Sequence, residues 1–255
     1  GHLLVPLAKE KEVNILPIDS EHNAIYQCMM GHHWGDVEHI TLTASGGPFL
    51  AMTREEMHDI APAKALKHPT WNMGAKISID SATMMNKGLE SIEAAWLFGI
   101  GREKVSAVIH PQSIIHGFVT FKDETIISHM APADMKVPIS HALGWPERLK
   151  IQTEKLDLTK ISGLEFMEIN HEQFPCYNLA HQLIGEEPCY AAALNAANEI
   201  AVSLYLENKL AFGDIYSLCT KTVNMIEIRS LDDYQSVIDY DSFARDIARS
   251  IVLSL

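Results

Sequence analysis

A few polar residues in this chain have types and spacings suited to chemistry. Asp19 and Glu21 stand two apart in DSEHN at 19–23, and Glu90 ends the run MNKGLE that also holds Asn86 and Lys87. Ser45 opens SGGPF at 45–49, and Ser81 follows Asp80 in ISIDSAT at 77–83. Carboxylates held together repel unless one keeps a proton or a cation lies between them. An oxygen-only set of Asp19, Glu21 and Glu90 suits a hard octahedral ion, Mg²⁺ or Mn²⁺, with positions left open for substrate. The hydroxyls of Ser45 and Ser81, the Asn86 amide and the Lys87 ammonium suit a phosphate. Two glycines after Ser45 allow close backbone approach. A metal beside a phosphate pocket describes a sugar-phosphate enzyme in which the ion acts as a Lewis acid on adjacent keto and hydroxyl oxygens.

Plainer readings of the same residues exist. Asp19 can cap a helix at 23–29 with Glu21 in its first turn, instead of both lying on one face of a strand continued from 13–18. Gly-Gly-Pro is also a loop breaker. Lys87 and Glu90 can be a solvated ion pair on an amphipathic helix.

The elements that must position these groups can be read from periodicity. Residues 76–96 are expected to form a short strand at 77–79, a polar elbow at Asp80 and Ser81, and then a helix capped by one of those two. Met85, Leu89, Ile92 and Trp96 share its apolar face, and Asn86, Lys87 and Glu90 a second face. Ser81 then sits at the helix mouth, where free amides favour an anion. Residues 3–11 read as a helix, 13–18 and 38–44 as strands, and Thr53 with Glu56 as a capping box. The irregular stretch to HPTWNMG at 68–74 reads as a lid at about 46–74, in which Trp71 and Met73 cover a ligand and His68 donates to a phosphate. Surface packing of that loop is the alternative.

Residues 105–109 read as a strand and 114–121 with 125–130 as a hairpin, whose edge suits pairing in a homodimer. A helix at 137–144 stops at Trp145-Pro146. His32 and His33 point apart in a loop, and His110, His116, His129 and His141 read as core or interface histidines. Beyond a connector at 147–175, helices are expected at 177–184, 189–208, 215–228 and 241–253. Leu194, Ala197, Ala201 and Leu204 form one buried stripe there, and Phe243, Ile247 and Ile251 another. Asn195 and Asn198 are expected to bond loop backbones. The fold class is therefore α+β: a mixed-sheet domain at 1–146 that binds metal and sugar phosphate, then a small bundle of about four helices at 176–255.

Composition narrows the function classes. Acids outnumber bases 33 to 20, for a formal charge of −13, which argues against a nucleic-acid surface. Cys28, Cys176, Cys189 and Cys219 form no CxxC pair, so a reducing, cytoplasmic compartment is expected. No apolar run approaches the length of a membrane span, the first residues do not read as a signal peptide, and no GxGxxG or P-loop is present.

Four blocks carry a resemblance: LPIDSEHNAIYQ (16–27), TASGGPF (43–49), HPTWNMGAKISIDSATMMNKGLE (68–90) and HPQSIIH (110–116). The chain resembles the 1-deoxy-D-xylulose 5-phosphate reductoisomerase family from its first residues to its last helices. The resemblance implies that Asp19, Glu21 and Glu90 bind Mg²⁺ or Mn²⁺. It implies that Ser45, Ser81, Asn86 and Lys87 hold the substrate phosphate and nearby hydroxyls, with Ser20 and Lys87 touching the substrate backbone. His68 and Trp71 would belong to a flexible lid, and Met73 would lie near the nicotinamide. The implied reaction isomerises 1-deoxy-D-xylulose 5-phosphate by retro-aldol cleavage and re-addition. Reduction with NADPH then gives 2-C-methyl-D-erythritol 4-phosphate, for non-mevalonate isoprenoid synthesis in a bacterial-type cytoplasm. The family's N-terminal NADPH domain, and its lysine in an Ala-Asn-Lys-Glu-Ser type segment, are not in this sequence. The resemblance therefore implies a catalytic portion, an engineered or proteolytic fragment inactive as a reductase by itself. Two rivals remain: a metal-dependent sugar-phosphate isomerase or aldolase that needs no nicotinamide, and a non-catalytic dimerisation module.

Overall fold

The computed structural model describes residues 1–68, 71 and 73–252. Helices α1 (Leu4–Glu10) and α2 (Ser20–Cys28) precede strand β1 (Val37–Ala44). Helices α3 (Arg54–Met57), α4 (Pro62–Ala65), α5 (Ala75–Ala82) and α6 (Met85–Phe98) then cross to β2 (Val105–Ile109). β3 (Ile115–Phe121), β4 (Ile126–Met130) and α7 (Lys136–Gly144) complete the first half. The four strands form one mixed sheet in the order β2-β1-β3-β4, with β1 parallel to β2 and antiparallel to β3, and β4 antiparallel to β3. After an extended stretch come α8 (Pro175–Gln182), α9 (Pro188–Leu206), α10 (Asp214–Met225) and α11 (Tyr234–Val252). The α+β class, the hairpin and the terminal group of four helices match the expectation.

Residues 13–18 differ from it: they are extended but join no sheet. Pro17 has no amide to donate to a ladder, and Val13, Ile15 and Ile18 stay exposed, so nothing rewards pairing. The carboxylates at 19 and 21 thus do not share a strand face. Asp19 caps α2, accepting from the amides of Glu21 and His22, and Glu21 lies in its first turn.

Residues 77–79 are helix, not strand. Ala75, Ile79 and Ala82 lie at helical spacing, and Ile79 and Ala82 are buried. A short apolar run cannot declare its period, and here packing decides. α5 ends at Ala82, Met84 takes a left-handed conformation at φ 60°, and α6 begins. Ser81 therefore closes one helix just before the next opens, and neither it nor Asp80 caps α6.

Most of the expected lid is anchored. α3 carries the capping box of Thr53 and Glu56, and Met57, Ile60 and Ala65 are buried. The Tyr205 hydroxyl donates to the Ile60 carbonyl at 2.8 Å. Pro69, Thr70 and Asn72 of the lid motif lie outside the described residues, as does Leu253 of the expected last helix. α11 starts at Tyr234, seven residues ahead of expectation. In the bundle, Tyr205 is buried where Leu204 was expected, and Ala244 and Ala248 where Phe243 and Ile247 were; those three are half-buried. No helix among the described residues is long and apolar enough to cross a membrane.

Candidate active site

α2, α5, α6 and the ends of β1 and β3 wall a cavity of about 270 Å³. Asp19, Ser20, Glu21, Ser45, His68, Trp71, Met73, Ser81, Asn86, Lys87 and Glu90 all line it, so every residue expected at the site reaches one place. Each of Asp19, Glu21 and Glu90 presents a carboxylate oxygen, and the three oxygens lie within 4.8 Å of one another. That oxygen-only donor set fits a hard divalent cation.

Why Glu90 joins the pair from α2 follows from α6. Its polar face is buried rather than solvated, since Lys87 is 4% and Glu90 3% exposed. Gly88 lets α8 pack against α6: a Cβ there would meet the Ala180 Cβ at 2.5 Å. Lys87 donates to Glu21 at 2.7 Å and also to Glu90, which accepts from Asn86 as well. The buried ammonium thus bridges two of the three carboxylates. His22 Nε2 bonds the Glu90 carbonyl at 2.8 Å, tying α2 to α6 behind the cluster.

The electrostatics follow. Burial raises Glu90, and the Asp19 and Glu21 charges add to it, so its carboxyl stands well above its usual range. Burial and then Glu21 raise Asp19 likewise. Burial pushes Glu21 up too, but the Lys87 charge and hydrogen bond outweigh it and bring Glu21 to about 2. Burial lowers Lys87, yet Glu21, Glu90 and Asp19 together hold it above its ordinary value.

The other wall presents hydrogen-bond donors. His68 Nδ1 accepts from the Trp71 amide at 2.8 Å, which assigns the proton of the neutral ring to Nε2. Nε2 lies 2.9 Å from Ser45 Oγ, and Gly47 N also donates to that oxygen at 3.2 Å. With both donors pointing at its lone pairs, Ser45 keeps its own O–H for a ligand. Burial lowers His68, which favours this neutral form. Thr83 Oγ1 accepts from the Met85 amide at 3.3 Å, and the first turn of α6, with Asn86 and Lys87, lies on the cavity wall.

Gly47 holds this wall close to Ser81. It adopts φ +67°, and a Cβ would meet the Ser81 carbonyl oxygen at 2.8 Å. We expect Gly47→Ala to cost about 1–3 kcal/mol in urea unfolding and to weaken anion binding. Wild-type values for both would contradict the close approach.

Some lining residues escaped the sequence reading. His116, expected in the core or at an interface, lines the cavity with its Nε2 3.1 Å from the Ala131 carbonyl and its ring 6.4 Å from that of Trp71. Thr43, Met84, Ser113 and Met135 also line it. HPQSIIH contained two of these, but nothing in a β-run tells which alternate residue faces a pocket. Asn198 was expected at a loop backbone and instead donates to the Asp80 carboxylate at 2.8 Å.

Comparison with known proteins agrees with this architecture. Two family models match: the 1-deoxy-D-xylulose 5-phosphate reductoisomerase C-terminal domain over residues 15–98, and the DXP reductoisomerase C-terminal domain over 130–247. A reductoisomerase of Chlorobaculum tepidum is 47% identical over 252 residues, 99% of this chain and 66% of its own length. One from Trichlorobacter lovleyi is 45% identical over 255 residues and is covered to 65%. The structure of the Zymomonas mobilis enzyme in complex with NADPH superposes at a TM-score of 0.94, with 41% identity, over all of this chain and 66% of that one. A DOX-P reductoisomerase structure in complex with NADPH, fosmidomycin and magnesium superposes at 0.89, with 37% identity, over 98% of this chain and 66% of that one. The chain thus spans just under two thirds of the length of these relatives. Matched by two family models and by relatives that share its fold and nearly half its residues, the chain belongs to the 1-deoxy-D-xylulose 5-phosphate reductoisomerase family.

Proposed function

We propose that this chain is the portion of a 1-deoxy-D-xylulose 5-phosphate reductoisomerase that holds the divalent metal and the sugar phosphate. The observation that carries it is one cavity with the carboxylate trio of Asp19, Glu21 and Glu90 beside the serines, amide and ammonium of Ser45, Ser81, Asn86 and Lys87. The magnesium and fosmidomycin in a similar structure support both halves. Bound there, Mg²⁺ or Mn²⁺ would supply Lewis acidity to the substrate's keto and hydroxyl oxygens.

The chain's own groups do the rest. Ser45 donates its hydroxyl proton to the phosphate, with Ser81 and Asn86 beside it. With a cation held by Glu21 and Glu90, Lys87 would give up those two carboxylates and turn to the substrate. Ser20, whose hydroxyl donates to Glu21 at 2.5 Å, orients that carboxylate and meets the substrate backbone. Trp71 and His68 close over the ligand, and Met73 faces the nicotinamide. Isomerisation by retro-aldol cleavage and re-addition, then reduction by NADPH to 2-C-methyl-D-erythritol 4-phosphate, is the reaction this site serves in the cytoplasm. The domain division is 1–146, 147–175 and 176–255, and the exposed edge strand β4 pairs two copies in a homodimer.

Residues 1–255 alone are expected to bind Mn²⁺ and fosmidomycin, read by titration calorimetry, and not to oxidise NADPH on addition of 1-deoxy-D-xylulose 5-phosphate. Absence of Mn²⁺ binding would sink the site, and steady NADPH oxidation would sink the claim of inactivity. Substrate turnover without NADPH would favour the isomerase or aldolase reading.

A further inference from the structure

We infer that Asn198, in the middle of α9, positions the anion side of the cavity by holding Asp80 and with it the helix that carries Ser81. This rests on the reading of Ser81 as an anion ligand. Asp80 is 1% exposed and immediately precedes Ser81. Its carboxylate has two partners. Lys76 Nζ lies 2.5 Å from Oδ2, one turn earlier on the same helix. Asn198 Nδ2 donates to Oδ1 at 2.8 Å from α9. The first contact is internal to α5 and cannot locate that helix. The second joins α5 to the C-terminal bundle and can.

The amide is retained at a cost. Asn198 is fully buried, and its Oδ1 is sealed from solvent without a hydrogen-bond partner. A buried unpaired carbonyl is unfavourable, and an apolar residue of similar size would avoid it. Among the described residues, Asp80 is the one hydrogen-bond partner of that side chain. Asn195, three residues earlier, turns instead to Glu199 on its own helix at 3.4 Å. On the other side of Ser81, its carbonyl presses against Gly47. The chain at 80–81 is thus gripped from the bundle on one side and from the serine-glycine loop on the other. Asp19, Glu21 and Glu90 lie on α2 and α6, outside this grip.

The test is titration of the full chain, well below its melting temperature, with Mn²⁺ alone and then with fosmidomycin in saturating Mn²⁺. N198L keeps the branched heavy-atom skeleton in a bulkier side chain and removes the sealed carbonyl. It should bind fosmidomycin about tenfold more weakly, as expected when a ligand's supporting partner is removed, with Mn²⁺ affinity close to wild type. N198A should show the same split with a lower melting temperature. V202A, which empties a buried apolar site one turn along α9, should lower the melting temperature and leave both affinities unchanged. Wild-type fosmidomycin affinity in N198L and N198A overturns the inference. So does an equal loss in V202A, which makes the effect one of general stability. A wild-type chain that binds no fosmidomycin overturns the site reading as well.

Discussion

Replacing Glu90 with glutamine is expected to reduce Mn²⁺ affinity by at least about 100-fold. The reason is where Glu90 sits. Its side chain is buried beside two other carboxylates, and burial together with Asp19 and Glu21 makes its charged form unfavourable. Glutamine is nearly isosteric with the carboxyl group it replaces but cannot carry its charge. Asn86 donates to one oxygen of Glu90 and Lys87 to the other, so the glutamine carbonyl can accept from only one of them. A divalent ion needs the ionised oxygen, which glutamine cannot supply. Calorimetry with Mn²⁺ reads the affinity, and an unchanged value would place the ion elsewhere.

Lys87→Met should be the most destabilising single change at the site, about 3 kcal/mol at neutral pH in urea unfolding. The ammonium bridges Glu21 and Glu90 in a place shielded from water, and its removal strands buried carboxylates. The pH dependence has a definite sign. Glu21 in the folded protein is lowered from 4.5 to about 2, so it contributes stability above pH 4.5 that is lost as pH falls through about 2. In the methionine variant burial acts on Glu21 unopposed and raises it. The carboxylate then destabilises above its unfolded pKa, and that penalty fades on acidification. The gap between variant and wild type should therefore be widest near neutral pH and narrow toward pH 3. Mn²⁺ should stabilise the variant more than wild type, because the ion no longer competes with an ammonium. A gap independent of pH would show that Lys87 acts through its aliphatic stem alone.

Much of this site was legible from the chain. Carboxylates, hydroxyls, an amide and an ammonium are the donor types that a hard cation and a phosphate need, wherever they fall in a fold. The i, i+3 and i, i+4 spacing of Asn86, Lys87 and Glu90 put them on one helix face. Alternation and turn residues identified the hairpin, and the capping box identified α3. These are local properties, set by neighbours a few residues away.

Tertiary structure decided what local spacing leaves open. Residues 77–79 are helical because a three-residue apolar run fits either period and α9 offers a helix surface to pack on. Residues 13–18 remain outside the sheet because pairing requires a partner strand, which no local pattern supplies. The polar face of α6 is buried rather than solvated because Gly88 admits α8 and because α2 brings Asp19 and Glu21 against it. Asn198 reaches Asp80 across 118 residues of sequence. The sequence by itself determined the chemical repertoire and the helix face that carries Asn86, Lys87 and Glu90. Only the folded chain determined that those groups share one enclosed space, where low dielectric and mutual proximity turn ordinary side chains into a charged cluster suited to a cation.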